Sequence, residues 1–285
     1  MKMALACTRK TQTAFWIVFL MMLWVCSVAN AASLTSCFMD LDGDNDVDGN
    51  DIAAFVEQYE ANDCTGGCSA DYNGNGIMDE PDLAEFAEEL GRVDCIGIVT
   101  STTDQVWMDR NLGASRVATS STDSAAYGDL YQWGRGTDGH EKRTSPTTSA
   151  ISSSDDPGHG FFITTSSYPY DWRVPQNNNL WQGVAGSNNP CPAGFRLPTA
   201  TELDAERISW SSNDSAGAFN SPLKLTMAGW RDHDSGSIYD VGSYGFYWSS
   251  TVDGSGVRYL FFLSDYANVY SDYRAYGFCV RCLKD

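Results

Sequence analysis

Two acidic stretches decide the fold of the first part of the chain: Asp40-Leu-Asp-Gly-Asp-Asn-Asp-Val-Asp-Gly-Asn-Asp51 and Asp71-Tyr-Asn-Gly-Asn-Gly-Ile-Met-Asp-Glu-Pro-Asp82. They place oxygen-bearing side chains at the same spacing, at an offset of 31 residues. A twelve-residue calcium loop takes side-chain oxygens at positions 1, 3, 5, 9 and 12 and a backbone carbonyl at position 7, because this hard cation prefers six to eight oxygen ligands. A solvated linker has no reason to repeat that spacing, so the sequence predicts two calcium sites.

The expected ligands form two equivalent sets. The first site takes the side chains of Asp40, Asp42, Asp44, Asp48 and Asp51 and the carbonyl of Asp46. The second takes the side chains of Asp71, Asn73, Asn75, Asp79 and Asp82 and the carbonyl of Ile77. The sharp turn at position 6 falls on Asn45 and Gly76, and both residue types tolerate the left-handed backbone conformation.

Each loop runs directly into a segment with helical spacing of apolar residues, Ile52 to Tyr59 after the first loop and Leu83 to Leu90 after the second. An EF-hand would also need a helix before each loop. Only eight residues separate the expected signal-cleavage point after Ala31 from Asp40, which leaves no room for such a helix, and Gly66 and Gly67 interrupt the stretch before Asp71. The expected unit is therefore a duplicated loop followed by a helix.

This duplicated pattern, with Asp at position 12, resembles the dockerin module of secreted bacterial systems that degrade polysaccharides. The resemblance covers residues 36–95 and implies an all-α unit that folds on binding calcium and docks a cohesin domain through a helix face. One departure concerns the partner. Many dockerins carry a Ser/Thr pair at loop positions 10 and 11, whereas this chain has Gly49-Asn50 and Glu80-Pro81.

The start of the chain and its charge indicate a secreted protein. Lys2, Arg9 and Lys10 precede an apolar run and a small-residue site at Ala29-Asn30-Ala31, the layout of a signal peptide over residues 1–31. The apolar run is too short for a comfortable membrane span. The chain carries 37 acidic residues against 18 basic ones, which makes nucleic acid and anionic membranes poor partners.

Four cysteines follow the same repeat as the loops. Cys37 and Cys68 each lie three residues before a loop, and Cys64 and Cys95 each lie thirteen residues after one. Such placement predicts disulfides in an oxidising compartment. Four cysteines allow three pairings. We favour Cys37 with Cys95 and Cys64 with Cys68, because paired loop–helix units usually bring their two ends together.

Residues 96–285 change in composition to Gly, Ser, Tyr and Trp, which predicts a separate α+β domain with few helices. Thr199 and Glu202 form a capping box that starts one helix, with Leu203, Arg207 and Trp210 at helical spacing. Residues 134–179 are expected to form long surface loops. Strands are expected near Asp104 to Met108, Leu223 to Met227, Tyr244 to Ser249, Val257 to Leu263 and Phe278 to Leu283.

Four landmarks in this part resemble the Fibrobacter succinogenes major paralogous domain: Val106-Trp-Met-Asp-Arg-Asn-Leu112, Ala126-Tyr-Gly-Asp-Leu-Tyr-Gln-Trp133, Cys191-Pro-Ala-Gly-Phe-Arg-Leu-Pro198, and Tyr247-Trp-Ser-Ser-Thr251 leading to Tyr276-Gly-Phe-Cys-Val-Arg-Cys-Leu-Lys-Asp285. The resemblance implies a C-type-lectin-like fold shared with formylglycine-generating enzymes. It also implies a disulfide between Cys191 and Cys282. Cys279 is left over and is either buried, reactive or paired between molecules.

The sequence favours binding over catalysis in this domain. His140, His159 and His233 belong to no catalytic motif and are expected to be solvated loop residues, and paired acids such as Asp232/Asp234 are common in loops. Copper chemistry at Cys279 and Cys282 is disfavoured because residues 279 and 282 of a strand face opposite ways. The aromatic and acidic residues that could form a sugar-binding surface are Trp230, Asp232, Asp234, Tyr239 and Trp248, with Asp240 nearby; alternatively, the aromatic residues are core residues.

The sequence thus predicts a secreted protein with two modules and two Ca²⁺ ions. A dockerin-like module attaches or spaces a noncatalytic lectin-like domain, which binds polysaccharide or a cell-surface glycan. Two alternatives stay open. One is an enzyme or accessory component of extracellular polysaccharide degradation, and the other is a structural or adhesive surface protein without a cohesin partner.

Overall fold

A computed structural model describes residues 39, 41, 47, 49–61, 68–91 and 97–285 of the chain. The chain divides into two compact units, Met1–Ile96 and Gly97–Asp285. The described residues form an α+β protein with few helices and several antiparallel sheets.

The described part of the first unit contains two helices at equivalent places in the repeat. Helix α1 spans Gly49–Ala61 and helix α2 spans Glu80–Glu89, so each begins two residues before the last expected ligand of its loop. Pro81 lies in the first turn of α2, where a missing backbone N–H costs nothing. The rings of Phe55 and Phe86 meet between the helices, with centroids 4.6 Å apart.

The core of the first unit uses equivalent positions of the two repeats. Among the described residues, six buried apolar side chains form it, and they fall into three pairs with the same 31-residue offset: Met39 and Ala70, Val47 and Met78, Phe55 and Phe86. Because each repeat supplies the same three positions, neither repeat can bury its apolar face without the other.

The second unit consists mainly of short strands with two helices. Helix α3 spans Ala200–Ser209 and helix α4 spans Ser215–Asn220, and a short 3-10 helix lies at Ser124–Ala126. The strands are β1 Ile98–Thr100, β2 Val106–Met108, β3 Tyr131–Gln132, β4 Thr147–Thr148, β5 Phe162–Ile163, β6 Phe195–Arg196, β7 Trp230–Arg231, β8 Ile238–Tyr239, β9 Gly245–Asp253, β10 Gly256–Leu263, β11 Tyr266–Asp272, β12 Gly277–Phe278 and β13 Leu283–Lys284.

These strands form three antiparallel sheets and one parallel pair. The sheet orders are β1-β2-β13-β6, β11-β10-β9 and β3-β12-β7-β8, and β4 pairs with β5. The β11-β10-β9 sheet has the longest strands, and α3 and α4 pack on one of its faces. Beneath them lies the main core, in which Tyr247, Leu260 and Phe262 are almost fully buried.

Helix α3 confirms its expected start, since the Thr199 hydroxyl accepts from the Glu202 N–H while the Glu202 carboxylate accepts from the Thr199 N–H. The expected strand at Leu223 to Met227 is wrong. Lys224 has φ 47°, a left-handed conformation that interrupts an extended strand, and Leu225 and Met227 instead donate to the carbonyls of Ala218 and Ser121. The segment still buries Leu223 and Leu225.

Two other expectations also need correction. The stretch from Phe278 to Leu283 is two short strands in different sheets, not one strand. Residues 134–179 are irregular, but they are not only surface loops, because Phe162, Ile163 and Trp172 within them are fully buried.

Within the described residues, no helix combines the length and apolar character that a membrane span requires.

Candidate functional site

The loop from Asp71 to Asp82 turns its oxygen-bearing side chains inward. Asp71 Oδ2 accepts a hydrogen bond from the Gly76 N–H (2.8 Å), and Asp71 Oδ1 accepts from the Asn75 N–H (3.2 Å). The side-chain oxygens of Asn73 and Asn75 accept from the N–H groups of Asn75 (2.9 Å) and Ile77 (2.8 Å). The backbone of the loop therefore surrounds the side-chain oxygens that accept its hydrogen bonds.

The glycines of this loop make the wrapping possible. Gly74 and Gly76 have φ of 66° and 80°, in the left-handed region that residues with a Cβ rarely adopt. Gly76 occupies position 6 of the loop, where the chain must turn sharply. Ile77, at position 7, is 51% exposed, so its side chain is not part of the core.

Asp82, at loop position 12, closes the loop from the first turn of α2. It is fully buried, its Oδ1 accepts from the Tyr72 N–H (2.9 Å) and its Oδ2 accepts from the Asp79 N–H (2.9 Å). A buried carboxylate far from any cation is costly, because burial removes its hydration. Backbone N–H groups and the N-terminus of α2 stabilise this charge in part, and a bound cation would stabilise it further.

Asp79 supplies the clearest sign of an unfilled interaction. Its Oδ1 is buried and has no hydrogen-bond partner, while its Oδ2 is 3.5 Å from Asn75 Nδ2. A buried unpaired carboxylate oxygen costs free energy unless something binds it. A hard cation bound by the surrounding oxygens would satisfy Asp79, so the donor set fits Ca²⁺.

Of the expected ligands of the first loop, the structure describes the last one, Asp51. Asp51 is fully buried and its Oδ1 accepts from the Leu41 N–H (2.7 Å), the same contact that Asp82 makes with Tyr72 one repeat later. The other expected ligands of this loop lie outside the described residues, namely Asp40, Asp42, Asp44, Asp46 and Asp48. The expected signal peptide, residues 1–31, also lies outside them.

Two further side chains connect the repeats, and the sequence analysis did not predict them. Gln58 of α1 accepts from the N–H of Ala70 (3.0 Å), and Glu89 of α2 accepts from the N–H of Met39 (2.9 Å). Gln58 and Glu89 are equivalent positions of the repeat, as are Ala70 and Met39. Each helix thus holds the residue before the first ligand of the opposite loop.

A second cluster of possible ligands occurs in the second unit. Asp138, His140 and Glu141 have ligand atoms within 4.8 Å of one another. His140 is fully buried, which corrects its expected place in a solvated loop. Its Nε2 accepts from the Gln132 N–H (3.0 Å), so Nδ1 carries the proton and donates to Asp138 Oδ1 (2.6 Å).

The remaining atoms of this cluster are also engaged. Asp138 Oδ2 accepts from Arg135 (2.6 Å), and Glu141 Oε2 accepts from the Gly139 N–H (2.9 Å). Burial lowers the pKa of His140 to about 4, against the opposing effect of its hydrogen bond to Asp138. A metal would have to displace these bonds, so the cluster is a satisfied polar network that holds residues 132–141 in place.

Cys191 and Cys282 form the disulfide that the resemblance implies, across 91 residues of sequence. Cys279 is a buried free thiol, and burial raises its pKa to about 11, which disfavours the reactive thiolate. Cys68 is disulfide-bonded, and its partner lies outside the described residues because Cys191, Cys279 and Cys282 are accounted for. Cys37, Cys64 and Cys95 also lie outside them.

The expected sugar-binding residues separate into three groups. Trp248 is fully buried, with its indole N–H bonded to the Tyr131 carbonyl (2.8 Å), so its place at a ligand surface is corrected to the core. Asp232 organises a turn by accepting from the Ser235 N–H (2.7 Å), and Asp234 is exposed. Trp230 and Tyr239 lie side by side, with ring centroids 5.3 Å apart.

The ring nitrogens of the other two histidines contact backbone groups in the hydrogen bonds that the structure gives them. His233 Nδ1 lies 2.8 Å from the Thr165 carbonyl, and His159 Nδ1 accepts from the Phe161 N–H (3.2 Å). These contacts position loops and do not activate a reacting group.

The fold and site define an α+β protein with a candidate metal loop in its first unit. Residues 194–283, from β6 to β13, match a family described as a domain of unknown function (DUF8237). No curated protein and no solved structure is significantly similar to the chain.

Proposed function

We propose that the first unit is a dockerin-like module that binds two calcium ions through residues 40–51 and 71–82. The observation that carries this proposal is the loop from Asp71 to Asp82, whose inward-facing oxygens include the buried, partnerless Oδ1 of Asp79. The symmetric contact of Asp51 supports an equivalent site in the first loop. Its ligands would be the five aspartate side chains and the Asp46 carbonyl named above.

Calcium would stabilise the folded state of the first unit through its positive charge. The second loop would hold it through Asp71, Asn73, Asn75, Asp79, Asp82 and the Ile77 carbonyl. The ion would offset the repulsion between closely spaced carboxylates and the cost of burying Asp82, so its binding free energy becomes folding free energy. A unit of about 60 residues has a small core, which makes this contribution important.

The second unit would be a noncatalytic lectin-like domain that binds an extracellular ligand, a polysaccharide or a cell-surface glycan, outside the cell. Several contacts favour binding over catalysis: His140 is locked in a buried network, and Cys279 is buried with a raised pKa. The first unit would then attach or space this domain, by docking a cohesin-like partner.

The test of the calcium proposal is amide hydrogen exchange on the full chain, with Ca²⁺ and with an excess of chelator. Chelation should speed exchange of the amides in residues 49–61 and 68–91 and leave residues 97–285 nearly unchanged. A bound ligand stabilises the folded state by roughly RT ln(1 + [L]/Kd), so the effect should scale with Ca²⁺ concentration.

Matched variants sharpen this test. Asp71→Ala with Asp82→Ala should reproduce the effect of the chelator on the second repeat. Glu88→Gln removes one acidic group from an exposed position of the same helix and should respond to Ca²⁺ as the unaltered chain does. Unchanged exchange of residues 68–91 on chelation would overturn the proposal.

A further inference from the structure

The two faces of the β11-β10-β9 sheet differ in what covers them. On the inner face Leu260 lies opposite Val269 and Tyr247, and this face packs in the main core beneath α3 and α4. On the outer face Tyr270 lies opposite Tyr259, and Phe261 lies between Asn268 and Phe246. Side chains alternate between faces along a strand, so the outer face has its own set of aromatic residues.

Four aromatic residues of the outer face and two of the neighbouring β7-β8 hairpin form a continuous aromatic strip, in the order Tyr266, Tyr270, Phe261, Phe246, Trp230 and Tyr239. Successive ring centroids along the strip are 6.5, 6.1, 5.1, 6.0 and 5.3 Å apart. These distances lie in the range of favourable ring contacts.

The two ends of the strip are open to solvent. Tyr266, Tyr270 and Tyr239 are 38%, 41% and 46% exposed, whereas Phe246 at the centre is 9% exposed. Phe246 packs on Phe278 with centroids 4.9 Å apart, so the strip is anchored in the core at its middle. Large aromatic surface left uncovered in a row is uncommon on a soluble protein unless it binds something.

Polar contacts fix the orientation of the exposed rings. The Tyr266 and Tyr270 hydroxyls are 3.0 Å apart, and Asn268 Nδ2 donates to the Tyr266 hydroxyl (2.8 Å). At the other end the Trp230 indole N–H donates to Asp240 Oδ2 (2.7 Å). Rings that are already held in place lose little conformational entropy when a ligand binds.

The chemistry of the strip selects its ligand. Nucleic acid also stacks on aromatic rings, but it needs a positively charged groove, and residues 97–285 carry 20 acidic residues against 14 basic ones. The same charge disfavours anionic membranes. A neutral polysaccharide offers apolar ring faces for stacking and hydroxyls for the tyrosine, asparagine and aspartate groups, with no charge to be repelled.

We propose that the aromatic strip binds a neutral polysaccharide chain that lies across the sheet and stacks on Tyr266, Tyr270, Trp230 and Tyr239. This inference rests on the proposed role of the second unit as a binding domain and names its ligand class. It shifts the expected sugar surface away from Trp248, Asp232 and Asp234 and extends the Trp230–Tyr239 pair across the sheet.

The test measures binding of the full chain to cellulose, xylan, mannan and chitin by pull-down, and to soluble neutral polysaccharides by affinity electrophoresis. The unaltered chain should bind at least one of these and not polygalacturonate, which is anionic. Tyr270→Ala should weaken binding about tenfold, and Tyr266→Ala with Tyr239→Ala should weaken it at least as much.

Two further variants separate stacking from general damage. Tyr270→Phe keeps the ring and should retain most of the binding. Phe161→Ala removes an aromatic side chain of similar exposure, 45%, outside the strip and should bind as the unaltered chain does. Near-ultraviolet circular dichroism of each variant checks that the unit remains folded.

Each result decides the proposal. Failure of the unaltered chain to bind any neutral polysaccharide would overturn it, as would equal binding by Tyr270→Ala, or tighter binding to polygalacturonate. Measurements with Ca²⁺ and with chelator keep it distinct from the calcium proposal. Binding that persists in chelator supports the strip even if the loops bind no metal.

Discussion

The two units of the chain reach a folded state by different means. In the described part of the first, six buried apolar side chains form a core of three equivalent pairs, and the oxygens of the Asp71–Asp82 loop accept hydrogen bonds from the loop's own N–H groups. The second buries many aromatic side chains around a long three-stranded sheet, and a disulfide closes it. The comparison teaches that a unit with little apolar surface depends on what binds its polar groups, whereas a unit with a large core does not.

Removal of one ring from the first unit tests this difference most severely. Phe55 is fully buried and meets Phe86, so Phe55→Ala should cost about 3–5 kcal/mol, as much stability as a unit of this size usually has. We expect calorimetry to show loss of the transition of the first unit and an unchanged transition of the second.

Phe86→Ala is the matched variant, because Phe86 is the equivalent residue of the other repeat and is also fully buried. It should have nearly the same effect. A large effect of one substitution and a small effect of the other would contradict the symmetric core.

Removal of the disulfide tests the stability of the second unit. Cys191→Ala with Cys282→Ala frees a 91-residue loop in the unfolded state and should lower the stability of the second unit by about 2–4 kcal/mol. The larger core should still keep this unit folded at 25 °C. Urea unfolding followed by tryptophan fluorescence measures the shift, and loss of the fold in the absence of urea would show that the disulfide is more important than the core.

The sequence predicted those parts of the second unit that depend on local signals. The capping box at Thr199 predicted the start of α3, and runs rich in aromatic and β-branched residues predicted β9 and β10. In the first unit the helical spacing of apolar residues after each loop predicted α1 and α2. These features depend on neighbours within a few residues, which a sequence displays directly.

Long-range contacts explain what the sequence could not show. Composition cannot reveal that the Gln132 N–H donates to His140 or that Arg135 donates to the Gln132 side chain. This polar stretch was therefore expected to be exposed. The presence of a tryptophan in a strand also does not show whether its side of the sheet is covered. Trp248 is buried, whereas Trp230, in the adjacent sheet, is partly exposed. The alternation of Tyr266, Asn268 and Tyr270 was the one available signal for the aromatic strip.

Acid provides a smaller test that acts on the second unit. Because burial lowers the folded-state pKa of His140 to about 4, below the ordinary value of 6.5, the unfolded chain binds more protons between these values. Stability should therefore fall as the pH drops through this window, by about 2 kcal/mol between pH 7 and pH 5.

Urea midpoints of the second unit at pH 7 and pH 5 measure this dependence. His140→Gln should lose most of it, even though the variant starts from a lower stability because a buried network is altered. His159→Gln is the control, since His159 lies outside that network and should keep the dependence of the unaltered chain. An equal pH dependence in His140→Gln and the unaltered chain would contradict the assignment.

The smallest effect concerns the link between the two repeats of the first unit. Gln58 and Glu89 hold the residue before each loop from the opposite helix, so each repeat helps to position the loop of the other. Gln58→Ala removes the acceptor of the Ala70 N–H and should cost about 1 kcal/mol. Gln58→Glu copies the second repeat, keeps an acceptor and should cost less, and Glu57→Ala, at an exposed position of the same helix, should cost least. If chemical unfolding gave Gln58→Ala and Glu57→Ala the same stability, the loops would be held by their own turns and by what they bind, not by each other.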